Sequence, residues 1–309
     1  MKMRISNLFE GLSDLKSITG KESPDELKSL YDIMCNVIET NVDPKYINGW
    51  KPDRSVEFFI KATKTFWENR NKAKEQSNTI KSFLAEDSLY MQAAYLADEV
   101  YSTETSHCRI EGWNICNDFP NIQFNDKTTG LVSRLFERLN AGKKEYVYAT
   151  AGTNPKCIED WKNNIQQLYG GAPQYQQALG NAKAIAEAAK TENATLFFVG
   201  HSLGGGIAIN NALHTGCKAI VFNPAGVSKL TADRKLPLKN DENDHIICFI
   251  ASNDILNRFQ DTSQNFEGMK LAIPPAIGKR YYLHAKNVFP MKSHTMTQMI
   301  TNMEALLCS

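Results

Sequence analysis

The stretch Leu196-Phe197-Phe198-Val199-Gly200-His201-Ser202-Leu203-Gly204-Gly205-Gly206-Ile207-Ala208-Ile209 constrains this chain more than any other. Four apolar residues lead into a G-x-S-x-G turn, and a helical pattern through Ala208, Ile209, Ala212 and Leu213 leads out of it. A serine on so tight a strand-to-helix turn adopts a strained backbone. The positions two residues before and after it must lack bulk, a need that Gly200 and Gly204 meet. Such a turn lifts the hydroxyl above the sheet edge, and the first amides of the following helix point toward developing negative charge. The N–H of Leu203 is therefore expected to be one oxyanion donor. The plainer alternative is a glycine-rich turn that opens a core helix.

A serine hydroxyl becomes a good nucleophile only when a histidine takes its proton, and that histidine needs a carboxylate to hold its tautomer. When the serine sits on such a turn, the chain order is serine, acid, histidine. His107 precedes the serine, His201 lies inside the turn, His214 falls on the helix after it, and His245 opens a strand ahead of the expected acid. His294 and His284 remain. His294 is preferred because it stands immediately before a final helical pattern through Met299, Ile300, Met303 and Leu306. The acid belongs just past a strand that follows the turn, which favours Asp254 after Ile246–Ala251, with Asp261 and Glu267 in reserve. A turn or helix-capping aspartate is the simpler reading of Asp254.

The remaining chain supplies the frame. Short apolar runs at Leu131–Phe136, Glu145–Thr150, Thr195–Val199, Ala219–Asn223 and His245–Ala251, with a weaker one at Arg280–Leu283, alternate with helical stripes such as Ala178, Ala182, Ile185, Ala186 and Ala189. Alternation of this kind predicts a three-layer α/β architecture around a mostly parallel sheet. Residues 1–85 are rich in Lys, Glu, Asn and Ser and read as a helical N-terminal extension ahead of a domain at 86–309. Within it, Val56, Phe59, Ile60, Ala62, Phe66 and Trp67 form one face of a helix expected from about residue 54 to 72. A second helix is expected from Ser88, with Ser82 or Asp87 in its cap region.

Composition excludes several classes. Thirty-five basic and 34 acidic side chains leave a net charge of +1, too little for the positive field that attracts nucleic acid. No apolar run is long enough to span a bilayer, and the first twenty residues lack the apolar core of a secretory signal, so a cytoplasmic location is the default expectation. The seven cysteines are dispersed and read as free thiols, with no zinc or redox pair among them. Neither a metal nor any other cofactor is implied.

These residues resemble the class 3, fungal-type lipase family of the α/β-hydrolase superfamily. The nucleophile segment is similar to Val199–Gly205, the family's Asn-Asp-Ile-Val acid segment resembles Asn253-Asp254-Ile255-Leu256, and the family's base precedes the last helix, as His294 does. The family's oxyanion segment, an apolar strand followed by Arg-Gly-Ser or Arg-Gly-Thr and later Asp-Trp, is similar to Tyr146–Thr153 and Asp160-Trp161. The resemblance covers roughly residues 90–305. It implies an α/β-hydrolase fold, Thr153 as second oxyanion residue and a short lid at Asn154–Glu159. Ala151 stands where the family has arginine, and Asn257 where it has proline.

The expectation is thus a serine hydrolase of lipid or other acyl esters, using Ser202, His294 and Asp254 with Leu203 and Thr153. Peripheral membrane contact and a protein partner for the N-terminal helices are compatible with it, as is export that needs no signal peptide. The apolar loop Leu271–Ile277 either lines an acyl-chain pocket or is ordinary core. The competing expectations are an effector or binding module on the same scaffold and a thioesterase or peptidase.

Overall fold

The computed structural model describes residues 52–103, 107–152, 173–227, 243–264, 274–285 and 290–309. Two helices come first, α1 (Pro52–Glu86) and α2 (Leu89–Glu99). They are followed by the two-residue strands β1 (Asn114–Ile115) and β2 (Asn125–Asp126), then β3 (Leu131–Asn140) and β4 (Lys143–Thr150). The chain continues as α3 (Pro173–Thr191), β5 (Thr195–His201), α4 (Leu203–Thr215), β6 (Lys218–Phe222) and β7 (Ile246–Ala251). It then forms α5 (Ile255–Gln264), β8 (Lys279–Leu283), the single turn α6 (Pro290–Ser293) and α7 (Met296–Leu307).

The sheet order is β1-β3-β4-β5-β6-β7-β8, with β2 paired to β3. β3 and β4 form an antiparallel hairpin, whereas β4 through β8 run parallel to one another. The carboxyl ends of those parallel strands therefore lie along one edge, where the loops carrying polar groups converge.

Side-chain alternation divides the core into two layers. Tyr146, Tyr148, Leu196, Phe198, Cys248 and Ile250 face α3 and α4, packing on Ala182, Ile185, Ala208 and Ile209. Their chain neighbours Val147, Ala149, Phe197, Val199, Phe249 and Ala251 face the opposite way, onto Leu96, Ala97, Met299 and Met303 of α2 and α7. The central strands β5, β6 and β7 are buried on both faces, which is why their sequences are nearly continuously apolar rather than alternating. All six expected strands are present, most extended by one to four residues and two trimmed by a residue at one end.

α1 is longer than the 54–72 expected and continues through the charged stretch Glu68–Glu75 to residue 86. Phe58, Ala62, Phe66, Ala73, Ile80 and Leu84 are all buried. Ile80 and Leu84 share a core with the sheet and α2, so the expected boundary at residue 85 falls in the last turn of a helix already packed on the sheet. Further back, α1 lies against α5: the Arg258 Nε–H donates to the Ala62 carbonyl at 2.7 Å, and the Phe58 and Phe259 rings stand 5.4 Å apart. The Asp87 carboxylate accepts from the Leu89 amide at 2.8 Å at the start of α2, while Ser82 lies inside α1.

Among the described residues, no helix is long and apolar enough to cross a membrane. Cys108, Cys116, Cys217, Cys248 and Cys308 are free thiols. Of the apolar loop 271–277, Ala276 and Ile277 are buried, and Ile277 belongs to the core beneath the sheet, where the Cys248 thiol donates to its carbonyl. That part of the loop is core and not a cavity wall; Leu271–Ile273 lie outside the described residues.

Candidate active site

β5 ends at His201 and α4 begins at Leu203, so Ser202 alone makes the turn between them. Its backbone sits at φ 56° and ψ −123°, a region that a residue with a Cβ enters only under strain, costing on the order of 1–3 kcal/mol. The surrounding hydrogen bonds hold it there. The Ser202 N–H donates to the Phe222 carbonyl at 3.1 Å, and the Ser202 carbonyl accepts from Ala225 at 2.8 Å and from Gly206 at 3.1 Å. The flanking glycines are required sterically: a Cβ on Gly200 would collide with the Gly204 carbonyl, and one on Gly204 with the Thr150 carbonyl at the end of β4. Thr150 closes this contact with a 2.7 Å hydrogen bond from its hydroxyl to the Gly204 carbonyl.

The turn places the Ser202 Oγ 2.9 Å from the His294 Nε2. On the far side of that ring, Nδ1 lies 2.5 Å from the Asp254 Oδ2. Ser202, His294 and Asp254 are 3%, 5% and 1% exposed, so the whole line of polar atoms is shielded from bulk water. Buried charge-assisted contacts of this kind are stronger than their surface equivalents.

Asp254 stands at the carboxyl end of β7 and opens α5. Its Oδ1 accepts from the Asn257 main chain at 2.7 Å and from the Asn257 side chain at 2.9 Å. The aspartate therefore caps a helix with one oxygen while presenting the other to His294, so the capping reading does not exclude the other. The alternatives lie elsewhere. Asp261 is ion-paired with Arg280 at 2.5 Å, His284 is exposed, and Glu267 lies outside the described residues.

Leu203 is the first residue of α4, where an amide has no acceptor within its own helix. Thr153, the expected lid at Asn154–Glu159, and Asp160-Trp161 lie outside the described residues. β4, the strand expected to lead to Thr153, pairs in parallel with β5, with Thr150 opposite Gly200.

Four further residues support the line of three, and reasoning from sequence had assigned none of them a role here. Asn257 holds the carboxylate, as described. Asn223, just past β6 with φ 41°, accepts from the Ala251 amide at 2.9 Å and donates to the Ser293 carbonyl at 2.9 Å. It thereby joins the strand before Asp254 to the turn before His294. His201 contacts the His294 carbonyl, and Tyr101 lies against His201 and the Gly152 amide. Burial, with the His294 ring beside it, lowers the His201 imidazole to a pKa of about 3, so it is neutral. Burial also raises the Tyr101 phenol well above its ordinary range and keeps it protonated. The one signal in the sequence was the placement of His201 and Asn223 at strand ends on the edge where the site forms.

Among the described residues, one group has metal-ligating atoms within reach of one another: Cys116, Asp118 and Glu137. The Lys144 ammonium already sits 3.1 Å from Glu137 and 3.7 Å from Asp118, filling the cationic position.

The Tle-like phospholipase domain family matches this chain over residues 92–301. The chain belongs to that family. The extracellular phospholipase A1 of Serratia liquefaciens is 38% identical over 149 residues, which make up 46% of this chain and 43% of that enzyme. The match thus spans less than half the length of this curated relative. Among solved structures, a triacylglycerol lipase from Penicillium expansum aligns at 14% identity and a TM-score of 0.36, covering 63% of this chain and 77% of that one. A carboxyl esterase from Tuber melanosporum aligns at 13% identity and a TM-score of 0.25, covering 71% and 97% respectively. The expected lipase-family resemblance and α/β-hydrolase architecture stand. The parallel sheet, the strand–serine–helix turn and the family match over two thirds of the chain agree on them.

Proposed function

We propose that this protein is a serine carboxylic-ester hydrolase acting on lipids, with Ser202 as nucleophile, His294 as base and Asp254 as the carboxylate that orients it. The observation that carries this reading is the buried line Ser202–His294–Asp254, with spacings of 2.9 Å and 2.5 Å.

In the reaction, the Ser202 hydroxyl gives its proton to the His294 Nε2 as Oγ attacks the ester carbonyl carbon. The Asp254 carboxylate accepts from Nδ1–H and stabilises the imidazolium that forms. The oxyanion of the tetrahedral intermediate takes hydrogen bonds from the Leu203 N–H and from Thr153, the second proposed donor; each such donor is worth about 100- to 1000-fold in rate. Collapse breaks the bond to the alcohol, which leaves with the proton from Nε2, and the acyl group remains on Ser202. Water, deprotonated by His294, then releases the fatty acid and restores the serine.

The phospholipase family and the extracellular phospholipase A1 relative support a glycerophospholipid as substrate, and the relative's location supports export. Peripheral contact with the lipid surface follows from such a substrate.

The test is reaction with a fluorophosphonate probe, followed by lipid mass spectrometry after incubation with a total membrane extract. Labelling at Ser202 with loss of one fatty acid from glycerophospholipids is the expected result. Absence of labelling reduces the chain to a binding module on this scaffold, and labelling with activity only on thioesters or peptides reassigns the substrate.

A further inference from the structure

We infer that His201 is a positioning residue for the base, holding the main chain of His294 and tying it, through Tyr101, to the end of β4. The inference rests on the serine-hydrolase reading above and concerns how its base is kept in line with its nucleophile.

His201 is 1% exposed, and its Nε2 lies 2.5 Å from the carbonyl oxygen of His294. A carbonyl only accepts, so this nitrogen carries the proton and Nδ1 is left as an acceptor. The Tyr101 hydroxyl lies on the Nδ1 side at 3.5 Å, and its oxygen accepts from the Gly152 amide at 2.7 Å. One tautomer therefore satisfies every member of the chain Gly152 N–H to Tyr101 O–H to His201 Nδ1, and His201 Nε2–H to His294 C=O.

The low pKa of His201, about 3, agrees with that arrangement. The ring stays neutral beside an imidazole whose centroid is 4.9 Å away and which becomes positively charged in each acylation. A permanently cationic neighbour at that distance would oppose protonation of the base.

The location of His201 gives the contact its mechanical meaning. It is the residue immediately before Ser202, in a turn whose backbone is fixed by three hydrogen bonds and two steric contacts. Gripping the His294 carbonyl from there references the base to the nucleophile's own main chain, across 93 residues of sequence. Asn223 reinforces the grip, with its Nδ2 3.4 Å from the same carbonyl. Nucleophile-to-base spacing is where a small displacement is most costly, because a shift of about 1 Å in a reacting group can lower rate about 100-fold.

The experiment measures ester turnover and the fluorophosphonate labelling rate on the full chain. A wild-type protein with neither activity ends the hydrolase reading itself, a different result from anything the variants report. With active wild type, His201→Leu is expected to lower kcat by about 10- to 100-fold while KM changes less than about twofold. His201→Gln, which keeps an amide donor near the Nε2 position, is expected to recover most of that loss. In a His294→Ala background, His201→Leu is expected to cause no further decrease, since the residue it positions is gone. Equal losses for Leu and Gln, an additive loss on His294→Ala, or an unchanged kcat each overturn the inference. Should His201→Leu fail to fold, Tyr101→Phe removes a single hydroxyl from the same chain and is expected to lower kcat about 10-fold at near-constant KM; an unchanged kcat there overturns it equally.

Discussion

Asn257 donates twice to a single oxygen of Asp254, from its main chain at 2.7 Å and from its side chain at 2.9 Å. The second oxygen is thereby left facing His294, and the carboxylate plane is set by a residue in the first turn of the helix that Asp254 precedes. Asn257→Ala keeps the main-chain bond and removes the other. Loss of one hydrogen bond to a buried charge costs about 1.5–3 kcal/mol. Urea denaturation is expected to show a stability loss in that range, and ester hydrolysis a kcat about 10-fold lower at similar KM. Wild-type kcat in Asn257→Ala would mean that the main-chain bond suffices.

Ser202→Ala and Ser202→Gly both remove the proposed nucleophile, and both should lower turnover by several orders of magnitude. They should differ in stability. At φ 56° a Cβ is strained and glycine is not, so the glycine variant should be more stable than the alanine variant by about 1 kcal/mol. Thermal melts of the two proteins side by side check this, and equal melting temperatures would show that the turn stores no strain.

Acid should destabilise the protein partly through His201. Its folded pKa, about 3, lies below the ordinary value of 6.5, so between those values the unfolded chain binds a proton that the folded one refuses. The stability associated with this group is complete above about pH 6.5 and declines as pH falls toward 3. The groups packed against the ring are His294, 4.9 Å away, and the Tyr101 hydroxyl. The His201→Gln variant removes this titration. Its melting temperature should fall less steeply than that of wild type between pH 6.5 and 4, and parallel curves would contradict the depressed value.

α1 should be indispensable. Phe58 is 1% exposed against Phe259 of the acid-bearing helix, and Ile80 and Leu84 are 0% and 3% exposed in the sheet core. Phe58→Ala should cost about 3–5 kcal/mol and Leu84→Ala about 2–5 kcal/mol. A chain beginning at residue 87 should be recovered aggregated or molten. A soluble, cooperatively melting truncated protein would make the first helices a dispensable extension after all.

How far the sequence carried differs sharply between local and distant features. The strand–glycine–serine–glycine–helix segment was legible because every requirement is met within the fourteen residues Leu196–Ile209: apolar lead-in, absent Cβ atoms at 200 and 204, apolar helix after. The central strands were legible because they are buried on both faces. α1 was underread because its buried stripe thins to Ala73, Ile80 and Leu84 amid charged residues, and so sparse an apolar stripe looks like a solvated face. His201 and Asn223 were not legible as supports. Their hydrogen bonds run to main-chain carbonyls 93 and 70 residues away, and a backbone carbonyl leaves no mark on the amino-acid sequence. Asn257 was visible only as a departure from the family's proline, without a reason attached.

Ser202 and His294 are brought together across a separation of 92 residues, with β6, β7 and β8 all translated between them. A ribosome therefore delivers the hydroxyl long before its imidazole, and the growing polypeptide carries a shaped corner with no means of losing its proton. Under the proposed mechanism, an ester that the finished molecule attacks is spared by the half-made one.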